Sequence, residues 1–400
     1  MTKEQKNKMK NAISLFKQGD FEPSKALFSE ALLQSPSDAS VLIYTGYLAL
    51  LENRLKDAQD YLQKALVIMP KSKEAKSLLA NVFYRMDDFD NAAAVENSAY
   101  LIEKYQNLAK HKAYEISSTV NKTEIKFIKK DPLPLIRISI NGAEPVHFLI
   151  DTGGGELIID TEYAKGLGLK EFGAEKATFG GGKKANYTHS IIDTLQLGDF
   201  QVKNVPVVFL DTRRFSAMLY GDEHRVDGIL GTYLFARFLT TLDYVNEKIV
   251  FEIKNTATSW EDRLKTEAFS PVRFWMVDHF MLARGRVNNA MELLFLIDTG
   301  LAGMGFTCPK STLKEGRFVL KKAQANSGLG GGGKIQSIPF DVESLSLGGI
   351  VERNIHGLYG PFPPAIEHSY GLRIGGLISH EFFRNHTVIF DYSKMTLYIK

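Results

Sequence analysis

At 400 residues, the chain is too long for one small domain, and two or three domains are expected. Its hydrophobic fraction of 44% and charged fraction of 24% are ordinary for a globular protein. The net charge is only +3, and because nucleic acid binding needs a concentrated basic surface, no nucleic acid partner is predicted.

The single cysteine, Cys308, excludes an intramolecular disulfide and a zinc site built on several thiolates, and neither a metal nor a cofactor is predicted. No apolar run approaches the roughly 18–20 residues of a membrane span. The charged start, MTKEQKNKMK, leads into a helical pattern and not into a signal peptide. The sequence as written therefore predicts a cytoplasmic protein, or a periplasmic or secreted one if a leader was removed.

The first hundred residues have helical periodicity and an internal repeat with a period of 34 residues. Ala31 and Pro36 recur, one period later, as Ala65 and Pro70. The repeat predicts pairs of helices joined by short turns at 19–21, 53–55 and 87–89.

Two small residues, Gly46 and Ala80, also lie one period apart, where paired helices must approach closely. This pattern resembles the tetratricopeptide repeat, whose helix–turn–helix units stack into a superhelix. The resemblance covers about residues 5–105 and implies a helical domain at 1–115 with a face for a protein partner. The alternative is an irregular helical bundle. Residues 106–122 are predicted to be a polar connector.

Beyond the connector, two predicted β-hairpins each lead into the same hexapeptide, FLIDTG, at 148–153 and again at 295–300. The strands of the first hairpin are 135–140 and 146–150, joined at Asn141-Gly142, a strong hairpin signal. Those of the second are 280–287 and 291–297, joined around Asn288-Asn289. The apolar run before each aspartate predicts a buried strand.

The surroundings of the hexapeptide are repeated as well. A glycine run follows each copy, then LQLG or LSLG, then GILGTYLF or GLISHEFF, then LDY or FDY. Asp151 and Asp243 are 92 residues apart, and Asp298 and Asp391 are 93 apart. The order and spacing predict a duplicated β domain, with lobes at 118–256 and 257–400 joined by a polar link at 254–270.

A duplicated domain with a pseudo-twofold axis brings the same residue from each side to one place, so Asp151 and Asp298 are expected to face each other. Two adjacent carboxylates cannot both ionise easily, so they share one proton. One then acts as a base on a water molecule while the other, as an acid, hydrogen bonds a substrate carbonyl. This chemistry hydrolyses peptide bonds without a metal or a covalent intermediate.

The residues beside the aspartates fit that task. Gly153 and Gly300 allow a tight turn, and Thr152 and Thr299 offer a hydroxyl and an amide for bonds across the axis.

The duplicated Asp-Thr-Gly, each copy with an apolar-apolar-Gly segment later in its lobe, resembles the aspartic protease superfamily. Gly154 and Leu301 follow the triplets where pepsin-like enzymes usually have a hydroxyl residue, so the resemblance is closer to the retropepsin-like branch, fused in tandem. It covers about residues 120–400 and implies a mostly-β, bilobal aspartic endopeptidase that acts as a single-chain pseudo-dimer on a peptide or protein substrate.

The resemblance also implies a flap in each lobe, at the two glycine-rich segments. The flap and substrate-binding residues would be Phe179, Gly180, Gly181, Gly182, Gly330, Gly331, Gly332 and Gly333, with Phe179 and Tyr187 as candidates for the aromatic that caps the cleft. The segment 328–333 also satisfies GxGxxG, but no βαβ context surrounds it, which favours a flap over a nucleotide site.

Two departures from the family pattern leave other functions open. Ser379 stands where Gly231 completes the corresponding segment of the first lobe, and Gly154-Gly155 predicts an unusually flexible first active turn. These favour a noncatalytic peptide-binding module with a degenerate protease fold. A scaffold that works through its helical repeats is a third hypothesis. His380 and His386 are six residues apart, which predicts a surface helix and not a metal site.

Overall fold

A computed structural model describes residues 3–254, 264, 266–288 and 291–400. Asn289, the predicted lobe boundary at 256–257, and the link residues Asn255, Ser259, Glu261 and Asp262 lie outside the described residues. Two compact units are present. The first comprises residues 1–112, 275–278 and 368–373, and the second comprises 113–274, 279–367 and 374–400.

Helices fill the N-terminal part of the described chain. They are α1 (Lys3–Lys17), α2 (Phe21–Gln34), α3 (Ala39–Leu51), α4 (Leu55–Ile68), α5 (Lys73–Arg85), α6 (Phe89–Val95) and α7 (Ala99–Leu108). The predicted turns at 19–21, 53–55 and 87–89 each include the break between two paired helices, which confirms the 34-residue period.

Local chemistry sets the ends of these helices. The side chain of Asp38 accepts hydrogen bonds from the backbone N–H groups of Ser40 and Val41 at 2.9 and 3.1 Å and so caps α3. The small residue at position 46 lets α3 and α4 pack closely, because a Cβ added there would lie 2.8 Å from Cγ of the buried Leu62. The close approach predicted at Gly46 is confirmed.

The first compact unit also includes two short segments that lie far away in sequence. Trp275 packs its ring against that of Phe21 at a centroid distance of 4.9 Å. The hydroxyl of Tyr47 donates to the backbone O of Tyr370 at 2.9 Å. The helical repeats are therefore completed by residues outside 1–115.

The predicted connector at 106–122 is partly regular structure, since α7 continues to Leu108 and the first strand begins at Glu115. That strand, β1, runs antiparallel to β8, with Glu115 opposite Lys203. Polar composition alone does not distinguish an exposed edge strand from a loop, which is why the sequence missed it.

Residues 118–256 are called here the first β half and 257–400 the second. The strands from β1 to β11 are β1 (Glu115–Ser117), β2 (Lys122–Lys126), β3 (Leu135–Ile140), β4 (Val146–Ile150), β5 (Leu157–Asp160), β6 (Phe172–Thr178), β7 (Lys184–Leu197), β8 (Phe200–Leu210), β9 (Gly228–Leu230), β10 (Leu239–Asp243) and β11 (Lys248–Glu252). Short helices α8 (Thr161–Gly166), α9 (Ser216–Tyr220) and α10 (Thr232–Phe235) lie between them.

The described strands of the second half are β12 (Ser270–Val277), β13 (Phe280–Val287), β14 (Met291–Ile297), β15 (Phe306–Thr307), β16 (Asn326–Gly330), β17 (Gly333–Leu347), β18 (Ile350–Tyr359), β19 (Gly376–Ile378), β20 (Thr387–Asp391) and β21 (Thr396–Ile399). Helices α11 (Lys310–Glu315) and α12 (His380–Phe383) accompany them. The four hairpin strands predicted from the sequence are confirmed as β3, β4, β13 and β14.

The same pairing pattern occurs in both β halves. In the first, β3, β4, β9, β5, β8 and β7 pair in that order, and β7 returns to β3, which closes a barrel. In the second, β13, β14, β19, β15, β18 and β17 do the same, with matching parallel and antiparallel contacts. Closure leaves few free strand edges in either barrel.

A further set of strands joins the two halves. β10 and β20 pair antiparallel, with Thr240 opposite Phe390 and Leu242 opposite Val388. β11 and β2 extend this sheet on one side, and β21 and β12 extend it on the other. Among the described residues, no helix combines the length and the apolar character needed to cross a membrane.

Candidate active site

Each Asp-Thr-Gly triplet follows a buried strand at the same place in its half. Asp151 comes directly after β4, and Asp298 comes directly after β14. The backbone N–H of Asp151 donates to Leu230 O in β9 at 3.0 Å, and that of Asp298 donates to Ile378 O in β19, also at 3.0 Å. The same backbone bond therefore fixes both aspartates at corresponding points of the two barrels.

The two threonines join the triplets through reciprocal hydrogen bonds. The backbone N–H of Thr152 donates to Oγ1 of Thr299 at 3.1 Å, and the backbone N–H of Thr299 donates to Oγ1 of Thr152 at 3.0 Å. The Thr152 hydroxyl donates to Ile297 O at 3.1 Å, and the Thr299 hydroxyl donates to Ile150 O at 3.4 Å. Because both threonines are buried, these bonds lock one turn against the other.

The glycines bring the carboxylates together. The backbone N–H of Gly153 donates to Asp151 Oδ1 at 2.7 Å, and that of Gly300 donates to Asp298 Oδ1 at 2.8 Å. A Cβ on Gly153 would lie 2.6 Å from Cγ of Asp298, and one on Gly300 would overlap the Asp151 carboxylate. Only glycine leaves room for each carboxylate to lie against the opposite turn.

The electrostatics of the pair favour one shared proton. Desolvation by the surrounding protein raises the pKa of Asp151, while hydrogen bonds from Asp298 and from the Gly153 and Gly154 amides oppose that rise. Desolvation, and then the charge of Asp151, raise the pKa of Asp298 well above its usual value. One carboxylate therefore keeps its proton where an isolated aspartate would have lost it.

A hydroxyl group braces the second active turn, although it does not come from the residue after the triplet. The buried Ser379 hydroxyl donates to Asp298 O at 2.6 Å, lies 3.1 Å from Leu301 O, and accepts from Leu301 N–H at 3.2 Å. The serine that departs from the pattern of the first half therefore holds the turn of the second half in place.

Helix α10 braces the first active turn. The Thr232 hydroxyl donates to Thr152 O at 2.9 Å, and the Thr232 backbone N–H donates to Gly154 O at 2.8 Å. The backbone N–H of Tyr233 donates to Gly155 O at 3.0 Å. The prediction that Gly154 and Gly155 form a loose turn is not in keeping with these contacts, because each glycine carbonyl has a partner.

Sequence reasoning missed a histidine at this turn. Nε2 of His279 lies 3.1 Å from Gly153 O. His279 lies directly before β13 and 19 positions before Asp298, the aspartate of its own half. Its hydrogen bond, however, is to Gly153, in the triplet of the first half. Only comparison of the two halves could have drawn attention to it, since Pro132 lies the same 19 positions before Asp151.

A cavity of about 440 Å³ lies over the two aspartates. Both β halves contribute apolar walls, including Leu149, Phe215 and Ile229 from the first and Leu296, Met304 and Leu377 from the second. Besides the two aspartates, side chains with polar groups come from Thr178 and Ser337. The cavity therefore suits apolar groups on either side of the paired carboxylates.

The predicted flap residues meet above this cavity, and four of them line it: Phe179, Gly180, Gly330 and Gly331. The backbone N–H of Gly181 donates to Pro361 O at 2.6 Å. A Cβ on Gly331 would overlap the ring of Phe179, so the two segments touch.

The other predicted flap positions shape the turns. Gly182 N–H donates to Phe179 O at 3.0 Å, Gly332 lies against the Lys183 backbone, and Gly333 has a φ of +119° that favours glycine. Of the two aromatic candidates, Phe179 lines the cavity, whereas the Tyr187 ring lies against His189 with centroids 5.2 Å apart.

Across the part of the chain that the structure describes, no group of three or more His, Cys, Asp or Glu side chains is arranged to hold a metal ion. The prediction of a surface helix at His380 is wrong, because His380, Phe382 and Phe383 are buried. Nε2 of His380 lies 3.0 Å from Asp131 Oδ1 of the first half, so this histidine contributes to the contact between halves.

Two family models match this sequence. The aspartyl protease model matches residues 136–234, and the tetratricopeptide repeat model matches residues 9–73. The chain therefore carries tetratricopeptide repeats followed by an aspartyl protease domain, and the mostly-β region has the aspartic protease fold predicted from the sequence. No curated protein matches the sequence.

Two solved structures are similar at low identity. A retropepsin-like aspartic protease from Rickettsia conorii is 17% identical, with 35% of this chain and 96% of that chain covered and a TM-score of 0.23. Conglutin gamma, a unique basic 7S globulin from lupine seeds, is 12% identical, with 70% of this chain and 95% of that chain covered and a TM-score of 0.41.

Proposed function

We propose that this protein is an aspartic endopeptidase whose two β halves act as a single-chain pseudo-dimer around Asp151 and Asp298. The observation that supports this most is the pair of reciprocal hydrogen bonds between Thr152 and Thr299. These bonds hold the desolvated carboxyl group of one half next to that of the other half, within one chain. A family model for aspartyl proteases, matched at 136–234, supports the general class.

In the proposed mechanism the carboxylates hold a water molecule between them. The ionised aspartate removes a proton from the water as its oxygen attacks the peptide carbonyl carbon, and the protonated aspartate hydrogen bonds the carbonyl oxygen as negative charge develops there. The tetrahedral intermediate collapses as its C–N bond breaks, and the aspartate that took the proton of the water passes it to the departing amine nitrogen. Both carboxylates then regain their starting protonation states, with one proton shared.

The proposed substrate is an extended peptide lying in the cavity beneath the two flaps. Extended backbone pairs with strand edges, while alternate side chains enter pockets on the two sides. The apolar walls of the cavity favour apolar side chains beside the bond that is cut. An acidic side chain in the same place would lose hydration and would meet the aspartates, whose charge has the same sign.

The helical repeats are proposed to recruit the substrate protein or a regulatory partner. Tetratricopeptide repeats, matched at 9–73, stack helix pairs into surfaces that bind other proteins. A scaffold role for the repeats alone would predict partner binding by residues 1–115 by themselves. That fragment lacks Trp275 and Tyr370, which belong to the same compact unit.

The alternative is a peptide-binding module without turnover. Its support from the sequence was Ser379 together with a loose turn at Gly154 and Gly155. The contacts of Ser379 and of the two glycine carbonyls weaken that argument, because all of them hold the turns in place.

Cleavage of a mixed peptide library from about pH 3 to about pH 8 tests the proposal. Wild type is expected to cleave, whereas Asp151→Asn and Asp298→Asn are expected to lose activity. The matched control is Asp193→Asn, an exposed aspartate that also precedes a threonine but lacks the glycine. Cleavage that survives either substitution in the triplets would contradict the proposed dyad. Peptide binding by wild type without cleavage would favour the module.

A further inference from the structure

We propose that His279, supplied by the second β half, is a positioning residue for Asp151 of the first. The inference rests on the proposed function, since it assigns a role in the same reaction. It goes beyond the paired aspartates and threonines because His279 belongs to neither triplet.

The hydrogen bond of His279 has a defined direction. Its partner at 3.1 Å is a backbone carbonyl oxygen, Gly153 O, which can only accept, so Nε2 must carry the proton. The same carbonyl belongs to the peptide group whose N–H is that of Gly154; that N–H donates to the backbone O of Asp151 at 3.4 Å and also lowers the pKa of the Asp151 carboxyl group. His279 therefore holds one side of a peptide group whose other side contacts Asp151.

The packing of the ring supports the bond. A Cβ added to Gly155 would lie 3.0 Å from Cγ of His279, so the glycine leaves room for the imidazole. On other sides the ring meets Tyr233, with centroids 6.2 Å apart, and Phe280, with centroids 4.0 Å apart. Because Tyr233 N–H also binds Gly155 O, the histidine and α10 hold the same turn from two directions.

The second active turn has a different brace. The position that corresponds to His279 by spacing in the first half is Pro132, whose side chain has no donor. At the turn of Asp298, Ser379 provides the side-chain hydrogen bonds instead. The two halves therefore stabilise their turns with unlike residues, and the arrangement around the dyad is asymmetric.

The surroundings of the two carboxyl groups also differ in their electrostatics. Desolvation is the largest influence on the pKa of both carboxyl groups and raises each of them. For Asp151 the charge of His279 is among the influences that lower the pKa, whereas for Asp298 the charge of Asp151 raises the pKa further. His279 therefore influences Asp151 through both the turn and its charge.

The test compares His279→Leu, His279→Gln and wild type in the full-length protein, with the exposed His111→Gln as the matched control. Leucine fills the space but has no donor, while glutamine retains an N–H. We expect His279→Leu to lower kcat by about tenfold to a hundredfold with KM within about threefold of wild type. We expect His279→Gln to recover most of that loss, and thermal unfolding to be cooperative in all four proteins.

Two results would overturn the inference: a wild-type kcat in His279→Leu, or an equal loss of kcat in folded His279→Leu and His279→Gln. A second measurement does not depend on turnover. In protein labelled with ¹⁵N-histidine, the resonance that disappears in His279→Gln should show a protonated Nε2, and an unprotonated Nε2 would exclude the bond. If wild type cleaves no peptide, the proposed function fails, and the NMR result still decides the contact.

Discussion

At the scale of single residues, four hydrogen bonds made by Thr152 and Thr299 hold the two aspartates in place. Two of them join the threonines to each other, and two join the threonine hydroxyls to the last residues of β4 and β14. The sequence predicted that these threonines bond across the axis, because a hydroxyl beside each aspartate suits that role. It did not predict Ser379 or His279 as further braces. Both act on turns that are distant in sequence, and only the folded chain brings them there.

Substitution of Thr152 by valine removes the hydroxyl and keeps the shape of the side chain. The N–H of Thr299 then has no acceptor in a buried site, and we expect the free energy of unfolding to fall by about 1–3 kcal/mol. We also expect kcat to fall, because the carboxylates lose their fixed spacing. Urea unfolding and steady-state kinetics measure the two effects. The control is Thr152→Ser, which keeps the hydroxyl; stability in Thr152→Val equal to wild type would contradict the account.

At the scale of elements, the sequence indicated a function for the two proposed flaps. It did not predict which residues of one flap contact the other. Glycine runs marked both segments as turns. The contact between them includes Ile335, which approaches Gly180 and Gly181 of the other half, and a Cβ on Gly181 would lie 3.0 Å from Cγ2 of Ile335. Such a contact between two loops has no periodic pattern in sequence.

Substitution of Gly331 by valine tests whether the flaps must touch. The added side chain would overlap the ring of Phe179, so the flaps could close only after one of them moved. We expect kcat/KM for peptides to fall by about tenfold or more, with little change in the unfolding temperature. Ser327→Val, at an exposed position of the same hairpin, is the control. Equal kcat/KM in the two variants would contradict a role for flap contact.

The elements of the β region were predictable because each hairpin has both a turn signal and an apolar strand. Asn141 and Gly142 have φ values of +50° and +72°, as expected for a tight hairpin turn, and β4 ends directly before Asp151. The edge strand β1 was not predictable, since Glu115 and its neighbours lack an apolar alternation. The alternation of apolar and polar residues identifies strands with a buried face, whereas an exposed edge strand need not show that alternation.

At the scale of the whole molecule, the buried carboxylate pair connects stability to pH. The pKa of Asp298 in the folded protein is raised well above its usual value. The folded state therefore binds more protons than the unfolded state between the two pKa values, so the stability contributed by protonated Asp298 is lost as pH rises through that interval.

Substitution of Asp298 by asparagine removes this titration. We expect Asp298→Asn to raise the free energy of unfolding at pH 7, because the neutral amide avoids the cost of burying a carboxyl group that is driven to ionise at that pH. The gain should shrink at acid pH, where the wild-type carboxyl is protonated. Urea unfolding of wild type and Asp298→Asn at pH 7 and at acid pH measures this gain in stability, with Asp193→Asn as the control. A pH-independent loss of stability in Asp298→Asn would contradict a raised pKa.

Duplication was the strongest signal in the sequence at this scale. The repeated order of motifs predicted two similar sets of strands. The strands numbered from β3 to β9 pair with one another in the same pattern as the strands numbered from β13 to β19. What the sequence left open was how unlike the two active turns are. Gly154 is held by Thr232, while Leu301 is held by Ser379, and the corresponding positions of the opposite halves are His380 and Gly231.

The central claim is that Asp151 and Asp298 form one catalytic unit in one chain. A double-mutant cycle with Asp151→Asn, Asp298→Asn and the combined variant, assayed on the best peptide of the library, tests it most directly. The account predicts that each single substitution costs nearly as much kcat as both together, because neither carboxylate acts without the other. Losses that multiply independently, or appreciable kcat in the double variant, would contradict it.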